Sequence, residues 1–127
     1  MINRYFERIG KVIAGFQEMI AAHTIRKRTY NDTQGLISGE IEFIDDSELS
    51  FMELKNTEQV EKKKYKYHYM NNAKEMIFRY DNAKHHPEIN TFPHHKHTQG
   101  EIDKSAEPEL IDVLSEIQER LKNRNID

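Results

Sequence analysis

Hydrophobic side chains recur every three or four positions in the first 22 residues of the chain. This spacing places them on one face of an amphipathic helix, while charged residues fall largely on the other face. The pattern predicts an N-terminal helix over residues 3–22. Its apolar stripe consists of Tyr5, Ile9, Val12, Phe16 and Met19.

From His23 onward the hydrophobic period changes to two, which is typical of β-strands. Clusters of turn-forming residues separate these segments, as in NDTQG at 31–35 and NNAK at 71–74. Because the connections are mostly short, we expect consecutive strands to pair as antiparallel neighbours. The predicted sheet extends from residue 25 to residue 80, with strands at 25–30, 36–44, 48–54, 64–70 and 75–80.

A second helix is predicted near the end of the chain, over residues 108–122. Pro108 is favourable at the first helical position, and Glu109 suits the positive end of the helix dipole. No hydrophobic period can be followed after Asp81, and residues 81–104 are therefore predicted to form a histidine-rich loop. The buried stripe of the second helix is predicted to consist of Leu110, Leu114, Ile117 and Leu121.

The order of these elements predicts an α+β protein. Two helices would pack on one face of an antiparallel meander of about five strands. The length of 127 residues fits a single domain, and six Tyr with six Phe supply bulk for its core. Charged residues make up 32% of the chain against a typical value of about 25%, so the surface is expected to be highly solvated.

Composition excludes several classes of chemistry. The chain has no cysteine, which excludes disulfides, thiolate metal sites and cysteine nucleophiles. No segment approaches about 20 apolar residues, so we expect a cytoplasmic protein without a membrane span. The net charge of −3 argues against indiscriminate binding to polyanions, although a local cationic patch is compatible with it.

The histidines are concentrated in one segment, because five of the seven lie between His85 and His97. The signatures GxxxxGK[ST], GxGxxG, HExxH and GxSxG are absent from the sequence. Any chemistry must therefore come from His, Arg, Lys, Tyr, Asp and Glu side chains. The histidine segment is the strongest candidate to contribute them.

Several of these side chains are predicted to converge on the polar face of the sheet. Lys66 and His68 share one face of the fourth predicted strand, and Arg79 lies on the corresponding face of the fifth. A loop that leaves the end of the fifth strand can fold back over that face. The candidate catalytic residues are His68, Arg79, Asp81, His85, His86 and His94. The candidate substrate-binding residues are Arg26, Arg28, Lys66, His95, Lys96 and His97.

Such a cluster suits phosphodiester cleavage without a metal or other cofactor. One imidazole takes a proton from a nucleophile such as a ribose 2′-OH, and a second delivers one to the leaving oxygen. Arginine and lysine stabilise the charge of the transition state. RNA is a candidate substrate for such a cluster, with Tyr65, Tyr67 and Tyr69 as stacking surfaces if they are exposed or as core residues if they are buried.

A metal site is the main alternative, with zinc or another divalent metal as its ion. Histidine and aspartate are suitable donors, but neighbouring histidines seldom bind one ion together, and the spacing matches no common zinc pattern. A polar loop without chemistry is a further alternative. The alternative metal ligands are Asp81, His85, His86, His94, His95 and His97.

Three segments resemble the TumE family of bacterial and archaeal toxins. They are YKYHYM at 65–70, IFRYDNAKHHPEINTFPHHKH at 77–97 and EPELIDVLSEI at 107–117. ELSFMEL after the turn at 45–47 is similar as well, so the resemblance spans nearly the whole chain. The sequence departs from the family pattern at Lys84, where proline is expected, and in DDS at 45–47, where DGS is expected.

The resemblance implies the toxin of a type II toxin–antitoxin module, which a helix-turn-helix antitoxin binds and neutralises. The motif positions that it carries to this chain are His68, Arg79, Asp81, His85, His86, His94, His95, Lys96 and His97. Together with the cluster, it favours a metal-independent endoribonuclease that arrests growth. A metal-dependent or group-transfer enzyme and a non-catalytic binding module stay open as alternatives, and so does a homo-oligomer.

Overall fold

The computed structural model describes residues 1–83 and 93–125, which form an α+β fold with a seven-stranded antiparallel sheet. The strands follow one another across the sheet in chain order, each hydrogen-bonded to the next. The helices are α1 (Ile2–Ala14) and α2 (Leu110–Asn125). The strands are β1 (Ile20–Thr29), β2 (Gln34–Phe43), β3 (Glu48–Asn56), β4 (Lys64–Met70), β5 (Met76–Asp81), β6 (His95–Thr98) and β7 (Glu101–Lys104).

The prediction of about five strands was an undercount, because the predicted loop over 81–104 contains the β6–β7 hairpin. Gly100 closes this hairpin at a φ of 77°, a left-handed conformation that glycine adopts without steric cost. All four residues of β7 are exposed, and the buried positions of β6 are two histidines. Since neither strand has an apolar face, the hydrophobic period could not reveal them.

The N-terminal helix is shorter than predicted, since α1 ends at Ala14 and the chain is already in β1 at Ile20. A single 3₁₀ turn, Gln17–Met19, joins them. Met19 is still buried, and its carbonyl accepts a hydrogen bond from the backbone N–H of Ile44. The apolar spacing therefore continues past the end of the helix, because the side chains that follow it enter the same core from a backbone that is no longer α-helical.

Asparagine or aspartate side chains organise the connections that follow β1, β2, β3 and β4. In each, the side-chain oxygen accepts a hydrogen bond from the backbone N–H two residues later, as when Asn71 accepts from Ala73 at 2.9 Å. These contacts form Asx turns, which reverse the chain locally. The other three turns begin at Asn31, Asp45 and Asn56.

The two helices pack on one face of the sheet, which we call the helix face. Tyr65, Tyr67 and Tyr69 point to this face from β4 and are at most 2% exposed, so they belong to the core. From α1 the core receives Ile2, Tyr5, Phe6, Ile9 and Ile13, and from α2 it receives Leu110, Val113, Leu114, Ile117 and Leu121.

One carboxylate lies inside this core. Glu53 is fully buried and accepts hydrogen bonds from the hydroxyl groups of Tyr5 on α1 and Tyr67 on β4, the latter at 2.7 Å. Burial raises the pKa of Glu53 above its ordinary value, and the nearby Lys62 ammonium opposes that shift. The network thus ties the first helix to two central strands.

Candidate functional site

The opposite face of the sheet, which we call the open face, carries the predicted polar cluster. Residues that lie directly opposite each other on antiparallel strands share a face. His68 on β4 therefore stands beside Arg79 on β5, and Arg79 stands beside His97 on β6. The next row consists of Lys66, Asp81 and His95.

Asp81 is the centre of this cluster and is only 5% exposed. Its Oδ2 accepts a hydrogen bond from Arg79 Nε at 2.9 Å, and its Oδ1 lies 2.6 Å from His95 Nε2. His97 Nε2 lies 3.5 Å from Oδ2 and 3.3 Å from Arg79 Nη2. One aspartate therefore contacts one guanidinium and two imidazoles.

His95 has a fixed orientation. It is 1% exposed, and its Nδ1 lies 2.9 Å from the carbonyl oxygen of Pro93. Since a carbonyl only accepts hydrogen bonds, Nδ1 carries the proton and Nε2 is directed at Asp81. The rings of His95 and His97 meet edge to face with their centroids 4.7 Å apart.

His68 has the properties of a proton acceptor. Burial lowers its pKa from the ordinary value of 6.5, and the nearby positive charges of Arg79 and Lys66 lower it further. The imidazole is therefore neutral at neutral pH. Its Nδ1 is buried and has no hydrogen-bond partner among the described residues.

Two residues that we expected beside Arg79 lie on the helix face instead. The His94 ring stacks on Tyr65, its Nδ1 is 2.9 Å from the Tyr65 hydroxyl, and its Nε2 is 2.8 Å from Glu61. Lys96 donates to Glu116 of α2 at 2.9 Å. Successive residues of a strand point to opposite faces, which separates His94 and Lys96 from their neighbours.

The predicted arginines of β1 share the open face but not the cluster. Arg26 stands opposite Ser38, and Arg28 stands opposite Leu36. Four strand spacings separate β1 from β5, or about 19 Å at about 4.8 Å each. Arg26 Nη1 also donates to Glu40 at 2.8 Å, so this side chain already has an anionic partner.

Two predicted catalytic residues, His85 and His86, lie outside the described residues. So does Lys84, where the family pattern was expected to have proline.

A family comparison identifies the chain. The model of the family described as Toxin TumE matches residues 9–124. The chain belongs to the toxin TumE family. Comparison with curated proteins gave no match, and comparison with solved structures gave none either. The resemblance drawn from the sequence motifs is thus confirmed, and the TumE assignment supports a role as a toxin.

The open face of this TumE protein extends beyond the predicted cluster, over residues that sequence reasoning missed. Ser50 stands opposite His68, and Met52 stands opposite Lys66. Ser38 and Leu54 continue the same face, and all four are partly exposed. The alternation of buried and exposed positions along β2 and β3 is the sequence signal that could have identified these residues. They give the cluster a neighbouring surface of mixed polarity.

Within the part of the chain that the structure describes, no helix has the length and apolar character needed to cross a membrane.

Proposed function

We propose that this TumE-family protein is the toxin of a type II toxin–antitoxin module and that it arrests growth by cleaving RNA on its open face. The observation that carries this proposal is the row His68–Arg79–His97, which places a neutral imidazole, a guanidinium and a second imidazole side by side on adjacent strands. We place the protein in the cytoplasm, where its RNA substrate is found.

In this mechanism His68 is the general base. Its unprotonated nitrogen takes the proton of a ribose 2′-OH, whose oxygen then attacks the adjacent phosphorus. The bond from phosphorus to the 5′-oxygen breaks, and a protonated His97 supplies the proton to that leaving oxygen. A 2′,3′-cyclic phosphate and a 5′-hydroxyl are the products, and no oxidant, reductant or metal is needed.

Arg79 binds the phosphate between the two histidines. Its side chain is 31% exposed, so the guanidinium can reach a ligand while Asp81 holds its Nε. A planar guanidinium matches two phosphate oxygens and is suited to the charge that develops in the transition state. Lys66, one row away and exposed, adds charge for the neighbouring phosphate.

The proposed antitoxin is a helix-turn-helix protein that binds the toxin directly. The TumE family supports an antitoxin partner, and the cationic groups around His68 favour an acidic segment in that partner. Covering the open face would block access of RNA to the row. We propose this as the means of neutralisation.

Induction of variant toxins in a bacterial host tests the catalytic proposal. We expect His68→Gln and Arg79→Gln each to relieve growth arrest, because loss of a general base or an electrostatic donor typically costs about 10²-fold or more in rate. His23→Gln is the matched control, since His23 is exposed on β1 and its side chain lies on the helix face. Circular dichroism of the purified variants checks that they fold.

Cellular RNA after induction distinguishes cleavage from occupancy of a target. The proposal expects discrete fragments with 5′-hydroxyl ends from the wild type and none from His68→Gln. Purified toxin should retain this cleavage in the presence of a chelator. Growth arrest without RNA fragments would favour a binding module, and full toxicity of both folded variants would contradict the proposal.

A further inference from the structure

We infer that Asp81, His95 and His97 form a binding site for one divalent transition-metal ion of the zinc class. These residues lie on the paired strands β5 and β6, with Asp81 directly opposite His95. Each offers one ligand atom, and the three atoms lie within 4.8 Å of one another. All three residues are buried, with exposures of 5%, 1% and 8%.

The backbone arrangement makes this convergence stable. His95 and His97 are two residues apart on one strand, so both project to the open face, whereas the intervening Lys96 projects to the helix face. Tyr80 and Phe78 fix β5 against the core from the other side, which holds the register of Asp81. The donors are therefore positioned by two paired strands rather than by a loop.

The orientation of His95 is the observation that points to a cation. Its Nδ1 proton is directed at the Pro93 carbonyl oxygen at 2.9 Å, which is the second contact that metal-bound histidines usually make. Its Nε2 then faces Asp81 Oδ1 at 2.6 Å. An imidazole nitrogen and a carboxylate oxygen at that distance need a positive charge to hold them together. That charge is either a proton between them or a metal ion bound to both, which would widen the distance to about 3.3 Å.

The donor set favours a transition metal over calcium or magnesium. Two imidazole nitrogens and one carboxylate oxygen are typical ligands of zinc, iron(II), nickel or cobalt, whereas magnesium and calcium prefer oxygen ligands alone. Two histidines and one carboxylate on one face leave coordination positions for water or an anion. Arg79 contacts both Asp81 and His97, so its guanidinium is near enough to hold such an anion.

The guanidinium of Arg79 competes with a metal ion for contact with Asp81 and His97. Its Nε is 2.9 Å from Asp81 Oδ2, and its Nη2 is 3.3 Å from His97 Nε2. Asp81 can retain Arg79 through Oδ2 while a metal binds Oδ1, but the contact of Nη2 with His97 must break. Metal binding should therefore free one face of the guanidinium and occupy Nε2 of His97. The metal-bound protein could then not use His97 as the acid of the proposed RNA cleavage, which belongs to the metal-free form.

Zinc titration of the full-length, tag-free protein by isothermal calorimetry tests the inference, after chelator treatment and dialysis. We expect one zinc ion per chain for the wild type. Asp81→Asn and His97→Gln should each weaken binding about 10-fold or more, and the double variant should abolish it. Calcium and magnesium should not bind in the same range.

Controls separate this site from other histidines. His94→Gln removes the imidazole of the second candidate group, Glu61, His94 and Glu107, and should leave zinc binding unchanged. His68→Gln should also leave it unchanged. Cobalt(II) absorption gives an independent signature, because the spectrum of the bound ion should change in His97→Gln and not in His94→Gln.

Two results would overturn the inference. Wild-type protein that binds no zinc would contradict it outright. Binding that survives in Asp81→Asn and His97→Gln but disappears in His94→Gln would assign the metal to the other group. Neither result depends on RNA cleavage, so the metal site and the proposed function can fail separately.

Discussion

Replacement of the buried Glu53 by leucine should destabilise the protein strongly. Glu53 is fully buried beneath α1, and its carboxylate is the hydrogen-bond acceptor for Tyr5 and Tyr67. Leucine fills much of the same volume but accepts no hydrogen bond. Both tyrosine hydroxyls would then lose this partner, although Tyr5 and Tyr67 are both buried.

The expected loss follows from those two hydroxyl groups. An unsatisfied buried polar group costs about 1–3 kcal/mol, so two of them should lower the free energy of unfolding by about 2–6 kcal/mol. Glu53→Gln should cost less than about 1.5 kcal/mol, because the amide oxygen still accepts one hydroxyl and the amide N–H₂ can donate to the other oxygen.

Urea unfolding followed by circular dichroism measures these differences by linear extrapolation. Tyr67→Phe completes a double-mutant cycle. Because phenylalanine has no hydroxyl group, leucine at position 53 then leaves no unpaired hydroxyl at position 67. The double variant Glu53→Leu with Tyr67→Phe should be more stable than the sum of the single effects by about 1 kcal/mol or more. Equal stability of the Leu and Gln variants would refute the reasoning, as would strict additivity in the cycle.

Three further predictions concern the turns, the open face and the sheet. Asp46→Gly should stabilise the fold by up to about 1 kcal/mol relative to Asp46→Ala in thermal unfolding, since Asp46 has a φ of 69° where the family pattern was expected to have glycine. Nuclear magnetic resonance should show His68 titrating below pH 6.5, and Lys66→Gln should raise that pKa, because burial, Arg79 and Lys66 all oppose protonation. The same depressed pKa makes His68 a source of stability above pH 6.5 that is lost as the pH falls toward its folded value. Gly39→Ala should destabilise by about 1–3 kcal/mol in urea, since its Cβ would lie 2.2 Å from a backbone oxygen of β1.

Sequence patterns predicted the central sheet well because each hairpin there has two independent signals. β4 alternates polar and aromatic residues from Lys64 to Tyr69, and its range Lys64–Met70 matches the predicted one. Asn71 then reverses the chain through its side-chain hydrogen bonds. The α+β class follows from such segments. The end of α1 could not be predicted in the same way, since Met19 remains buried after the helix has ended.

The histidine segment shows why part of the site was misplaced. Treated as a loop, HHKH at 94–97 was expected to bring all four side chains to Arg79. As a strand with one preceding residue, it sends His95 and His97 to the open face, while Lys96 points to the helix face and His94 stacks on Tyr65. β6 could be recognised only from its pairing with β5, because its sequence has no alternation of hydrophobic and polar residues.

The register between β5 and β6 links the core to the chemistry of the open face. Phe78 and Tyr80 pack against the core, and this packing forces Arg79 and Asp81 to the other side of β5. A shift of one residue would turn every side chain of the strand to the wrong face, so the core penalises it heavily. Asp81 therefore lies opposite a histidine of β6 because the neighbouring aromatic residues of β5 are buried on the other face of the sheet. The polar cluster owes its geometry to apolar packing on the opposite face of the same sheet.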